Sequence, residues 1–169
     1  MKNNKLKKIV AAAIIAAAYA GLTYISATFG IAYGPIQFRI SEALTILPLF
    51  TPAAIPALTI GCFISNLTSF NPIDLLFGTA ATLFAAIITR WARNIKIGNF
   101  PIISFLAPVI TNALLVGLEI SFFYLDGFTV AGFLISAIEV GIGELLVLLV
   151  IGTPLWLGLG KKAPLLFNN

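Results

Sequence analysis

The chain has no histidine, which removes the commonest catalytic base and metal ligand together. Cysteine occurs once, as Cys62 in an apolar run, so no intrachain disulfide and no cysteine-based metal motif is expected. Charge is scarce as well: charged residues make up 9% of 169 positions, against about 25% in an ordinary globular chain. A water-soluble domain of this length could not cover its core with so few polar side chains. No Gly-x-x-x-x-Gly-Lys-[Ser/Thr] run occurs, so the chain carries no phosphate loop. Neither a metal site, a cofactor site nor a nucleic-acid surface is suggested.

What the chain does have is apolar length. Hydrophobic residues account for 60% of it and its mean hydropathy is +1.06. It reads as a single transmembrane domain over residues 1–169, an all-α integral membrane protein. At about 20 residues per span there is room for a bundle of six transmembrane helices. Nine of the ten basic residues fall in three clusters: Lys2, Lys5, Lys7 and Lys8; Arg90, Arg93 and Lys96; Lys161 and Lys162. Cytoplasmic loops and ends carry the Lys/Arg excess, which puts both termini and the segment near residue 93 inside a bacterial plasma membrane. The clusters also suit anionic headgroups. Arg39 is the exception, on the opposite side.

The segments expected are 8–29, 40–50, 57–70, 73–89, 101–124 and 129–157. The first continues past Ala18-Tyr19-Ala20, so it reads as a membrane helix rather than a cleaved signal. The second and third are short. Pro52 and Pro56 cannot continue a regular helix between them, and a re-entrant hairpin there would leave the other orientations unchanged. Ala12, Ala16 and Ala20, with Ala13, Ala17 and Gly21 one step round, make small-residue faces that admit another backbone. That backbone belongs either to the same bundle or to a separate membrane protein.

Intramembrane polar groups cost about 2.5–3.5 kcal/mol each for charged side chains, so they demand a reason. Gln37, Arg39 and Glu42 begin the second segment; Asn66 lies near the outer end of the third; Asn71 and Asp74 flank the fourth; Asn112 and Glu119 share one face of the fifth; Glu139 and Glu144 lie on the sixth. Arg39 and Glu42 could simply pair, and the asparagines could bridge helices. The acids exceed the available cations, so either burial keeps some protonated or a donor-bearing ligand meets them in a pocket open to the outside. Tyr33, Phe38, Phe70, Phe122, Phe123, Tyr124 and Phe128 are expected near the outer surface, most as an interfacial belt and one or two as a stacking surface.

The run from Tyr33 through Gln37, Phe38, Arg39 and Glu42 to Pro48 resembles the QueT family, and the likeness extends over Pro52–Pro56, Gly61 to Asn66, Asp74 to Gly78, Asn112 to Glu119, and Gly143-Glu144. That family comprises substrate-binding S components of energy-coupling factor (ECF) transporters assigned to queuosine precursors. The resemblance implies a six-helix S-component fold, an outer pocket gated by the loop after the first helix, and the Ala12, Ala16 and Ala20 face meeting a transmembrane coupling subunit. Two ATPase subunits beneath that partner would supply the energy, and the S component would topple to turn its pocket inward. For a 7-deazaguanine ring, Glu119 or Glu139 would accept ring N–H donors. Asn66, Asn112, Gln37 or Arg39 would donate to its carbonyl. Glu42, Asp74 or Glu144 would meet an aminomethyl cation, and Tyr33 or Phe38 would stack.

Three rival readings stay open: an S component for thiamin, riboflavin or biotin; a secondary transporter using its carboxylates as proton carriers; and an intramembrane enzyme, which would have to work by carboxylate chemistry alone. The charge pattern itself makes a testable statement. In a Cys62→Ala background, a cysteine at Gly127 should react with an impermeant maleimide on intact cells, whereas one at Asn94 should react only after lysis. The reverse result would overturn the orientation.

Overall fold

The computed structural model describes residues 2–32, 37–67, 72–125 and 127–166, with 2–4 and 162–166 as backbone alone. These residues fold as α1 (Lys2–Thr28), a 3-10 segment (Ile40–Leu49), α2 (Ala54–Asn66), α3 (Pro72–Trp91), α4 (Ile102–Phe123), α5 (Val130–Val147), a π turn (Leu148–Gly152) and α6 (Thr153–Leu166). The only extended pairing among them is the isolated bridge between Ile97 and Phe100.

The helix ends follow from local chemistry. α1 stops at Gly30, whose φ of 71° is open to glycine without strain. The Gly30 amide bonds the Ala27 carbonyl and the Ile31 amide reaches back to Ser26, closing the last turn. Thr129 caps α5 by accepting from the Gly132 amide at 3.0 Å. Pro56 lies inside α2, contrary to the expected start at Ala57. It falls in the first turn, where its missing N–H removes no hydrogen bond.

Four helical stretches are long and apolar enough to cross a membrane, rather than the six expected: Lys5–Thr28, Pro72–Asn94, Ile102–Phe123 and Val130–Lys161. Ile40–Leu49 and Ala54–Asn66 have 10 and 13 residues. At about 2.0 and 1.5 Å per residue each covers roughly 20 Å, short of the roughly 30 Å hydrocarbon core. The pair forms a hairpin within the bundle, entering beside the end of α1 and returning along it. The last stretch is a rod of 32 residues broken by the π turn, and it extends past the expected end at residue 157.

Arg90, counted as a topology signal, also ties this hairpin down. Its Nη1 donates to the Pro48 carbonyl at 3.1 Å and the Leu49 carbonyl at 3.4 Å. These are carbonyls that the end of a proline-containing 3-10 segment leaves without intrahelical donors. Nearby, Phe100, Phe105 and Trp156 pack edge-on and tilted against one another, joining the start of α4 to α6.

Small residues set the closest helix approaches. A Cβ on Gly61 would lie 2.7 Å from the Ala16 carbonyl and 2.9 Å from the Tyr19 Cβ, so α1 and α2 touch backbone to backbone. Gly117 approaches Ala137 in the same way across α4 and α5. Of the two neighbours that the spacing of Ala12, Ala16 and Ala20 left open, the chain itself supplies one. Ala16 and Ala20 are buried, and Ala12 packs on the core of Ile15, Tyr19, Leu47 and Leu58. The stripe admits another backbone, as its spacing implies, and at Ala16 that backbone is α2 of the same chain. Ala13 and Ala17, one step round, are exposed.

Outside the core, Ile9, Ile14, Leu76, Phe84, Leu134, Ile138 and Val150 are exposed around the bundle. An apolar exterior around a polar-containing interior is the arrangement lipid selects. Overpacking a close helix contact typically costs about 1–3 kcal/mol. Gly61→Val should therefore lower thermal stability in detergent by that amount, while Gly141→Ala, whose new Cβ would meet its nearest neighbour at an ordinary 3.5 Å, should change it little.

Candidate functional site

Helix order places the starts of α3 and α5 and the end of α4 at one end of the bundle. The basic residues on α1, α3 and α6 lie at the other. At the non-basic end is a cavity of about 560 Å³, lined by Gln37, Asp74, Glu119, Ile120, Tyr124, Leu125, Gly132, Ile135, Ser136 and Glu139. Three of these are acids, and none of the described lining residues is basic. The walls are otherwise largely apolar, as is usual for a small-molecule site with a few placed polar groups.

Three helices bring the acids together. Asp74 sits in the first turn of α3, and Tyr124, just past the end of α4, donates its hydroxyl to Asp74 Oδ1 at 2.7 Å. Glu119, a turn earlier on α4, is 2% exposed and within hydrogen-bonding reach of Asp74. Its Oε1 has no hydrogen-bond partner. Glu139 and Ser136, three residues apart on α5, face the same space.

A second, much smaller cavity of about 10 Å³ is lined by Gln37, Arg39, Glu42, Asn112, Val140 and Glu144, space for about one water-sized occupant. Asn112 is seven residues before Glu119 on α4, or about 10 Å deeper along the helix. Ala81, Val116 and Val140 form an apolar cluster at the intermediate positions of α3, α4 and α5. Gln37 lines both cavities, and its backbone lies against Gly143 of α5, where no Cβ would fit.

The inner cavity is the edge of a buried polar network. Tyr19 donates its hydroxyl to Glu42, leaving Glu42 Oε2 without a hydrogen-bond partner; Glu144 Oε1 and Asn112 Nδ2 also have none. Thr82 bonds the Cys62 sulfur at 3.2 Å and lies 3.4 Å from the Tyr19 hydroxyl. Thr23 donates to Ser41 at 2.7 Å. Arg39 donates from Nε to the Ala32 carbonyl at 3.0 Å.

The acids named from sequence therefore divide. Asp74, Glu119 and Glu139 line the large cavity; Glu42 and Glu144 line the small one, with Arg39 and Asn112. Asn66 lines neither: its Nδ2 donates to the Asp74 carbonyl at 3.1 Å and lies against Gly78, supporting the α3 start. Phe38 also lines neither, and its amide bonds Ile31 at 2.8 Å. Tyr33, Phe70, Asn71 and Asp126 lie outside the described residues. Tyr124 was expected as one of the belt or stacking aromatics and not as a polar site residue, and Ser136 was not singled out. The Asp74–Tyr124 bond spans 50 residues, a separation that sequence pattern does not reveal; the spacing of Ser136 from Glu139 on one helix face is a signal that could have found it.

These features define a multi-pass α-helical membrane protein with a ligand-sized, acid-bearing cavity at one end. A family model described as the QueT transporter matches residues 9–161, and the chain belongs to that family. It is 47% identical over 83 residues to the queuosine precursor transporter QueT of Lactococcus lactis subsp. cremoris strain MG1363. That match covers 49% of this chain and 49% of the relative, so the chain spans about half the length of the curated relative it matches. No solved structure matches.

Losing the donor to a buried carboxylate costs about 1–3 kcal/mol. Tyr19→Phe should lower stability by that amount in detergent thermal unfolding. An unchanged midpoint would mean that the Tyr19–Glu42 bond contributes nothing.

Proposed function

We propose that the protein is a membrane-embedded substrate-binding S component of an ECF-type importer, capturing a queuosine precursor with a 7-deazaguanine ring from outside the cell. The observation that carries this reading is the 560 Å³ cavity with three acids and no base among its described lining residues. A deazaguanine presents several N–H donors on one edge of a flat, largely apolar ring. Such a body suits walls built from Ile120, Leu125 and Ile135, and its donors suit carboxylate acceptors. The family and the Lactococcus relative point to the same ligand class.

In this reading Glu139 and Ser136 meet the ring edge from α5, and Gln37 supplies an amide donor for the ring carbonyl. Asp74 and Glu119 face them from α3 and α4. Arg39, Glu42, Asn112 and Glu144 hold the cavity floor from beneath rather than touching the ring. Tyr33 and Phe38, in and beside the loop after α1, are the candidates for stacking.

ATP-driven partners, a transmembrane coupling subunit and two ATPases, would provide the work. Docking on α1 would use the exposed Ala13 and Ala17 face instead of Ala12, Ala16 and Ala20. The orientation with both termini inside puts the large cavity at the outer surface. A proton-coupled secondary transporter is the second reading, favoured by the buried carboxylates Glu42 and Glu144 beneath the cavity. ATP-dependent uptake in vesicles carrying the coupling subunits supports the first; uptake by the purified chain on a proton gradient alone supports the second.

Binding separates the ligand reading from its rivals. Deazaguanine bases should raise the thermal midpoint of the detergent-purified chain, while thiamin, riboflavin and biotin should not. Glu139→Ala and Glu119→Ala should each weaken deazaguanine binding by about tenfold or more, the loss expected for a hydrogen bond to a charged group. Unchanged binding in both would remove the pocket assignment.

A further inference from the structure

Three side chains at the smaller cavity carry polar atoms that no protein atom meets. Glu42 Oε2 comes from the 3-10 segment, Asn112 Nδ2 from α4 and Glu144 Oε1 from α5, and none has a hydrogen-bond partner within the chain. The residues are 3%, 6% and 5% exposed, too deep for bulk solvent to satisfy them. All three line the same space of about 10 Å³, together with Gln37, Arg39 and Val140. A buried polar atom left unmet is costly. Three of them converging on one space from separate elements define a site for a small polar guest.

The chemistry of those atoms selects the guest. Two are carboxyl oxygens and one is an amide N–H donor. A water molecule carries two donor hydrogens and two lone pairs, so a single one can donate to Glu42 Oε2 and Glu144 Oε1 while accepting from Asn112 Nδ2. One lone pair is then left for a donor from Gln37 or Arg39. A metal cation would suit the carboxyls, but it would face the Asn112 N–H and the positive charge of Arg39. An anion would face two carboxyl groups. Size agrees with water as well, since about 10–15 Å³ of such space holds one molecule when two to four polar partners surround it.

We infer that the smaller cavity is a binding site for one water molecule, which joins the hairpin to α4 and α5 through Glu42, Asn112 and Glu144. The Tyr19 bond to Glu42 carries the same network on to α1, so four elements are tied together there. The site is separate from the large cavity and is independent of the ligand which that cavity takes.

A high-resolution density map of the detergent-purified full-length chain, without added ligand, should show one peak about 2.6–3.2 Å from all three atoms. A map with no peak there overturns the inference. Thermal unfolding of the same preparation distinguishes water from a cation: the midpoint should be equal in sodium, potassium and choline chloride at one ionic strength. A midpoint raised by sodium or potassium over choline, and no longer raised in Glu144→Gln, would make the occupant a metal cation and overturn the inference. Asn112→Leu adds a test by sign. With water bound, the substitution removes one of its partners and should lower the midpoint by about 2–4 °C. Were the Asn112 amide unpaired, the same change would remove an unmet buried donor and raise the midpoint, which would also overturn it. Should Asn112→Leu fail to fold, the map and the salt series on the unaltered chain decide.

Discussion

A carboxylate inside a bilayer has to be shielded from hydrocarbon, and this requirement organises the bundle. Every acid among the described residues borders one of two internal cavities: Asp74, Glu119 and Glu139 the larger, Glu42 and Glu144 the smaller. The lipid-facing surface around them is Ile, Leu, Phe and Val. Because water is absent from the surrounding medium, each buried oxygen needs a partner within the protein or in whatever the cavity admits.

That need explains why the short hairpin exists. Six full spans would have filled the bundle with continuous helix. Instead the 3-10 segment Ile40–Leu49 and α2 stop short, and the polar residues at the start of the hairpin come to lie against α4 and α5. Arg90 anchors its far end through two carbonyls, and Tyr19 anchors Glu42 from α1. The glycines at 61, 117 and 143 permit the close approaches that the arrangement needs. Stability and site are thus built from the same contacts: the α1–α2 seam that buries Ala16 also positions the Tyr19 hydroxyl over Glu42.

The two cavities differ in kind. The larger has mostly apolar walls, a volume suited to a small ring, and acids without a described base. The smaller mixes Arg39 with two acids and holds no more than one water-sized group. Stacked along α4 and α5 with an apolar cluster between, they separate ligand contact from support. Gln37, present in both linings, is the physical link between them.

Much of this was legible in the sequence for a simple reason. Membrane insertion is governed by local apolar length and by the placement of Lys and Arg, both one-dimensional properties. Hence the long helices and the importance of the scarce acids could be read from residue order. What residue order left undecided was of another sort. The hairpin arms were counted among six spans with a re-entrant hairpin as the alternative, because hydropathy does not distinguish a short span from a turn within the bundle. The Ala12, Ala16 and Ala20 stripe announced a close backbone without identifying it, since helical spacing defines a face but not its neighbour. The pairing of Asp74 with Glu119 and Tyr124, and the division of five acids between two cavities, arise from helices 30 to 50 residues apart meeting in space. Sequence determined that charge would be buried in this membrane protein; only tertiary packing decided which carboxyl groups would face one another, because that depends on the register and rotation of separate helices.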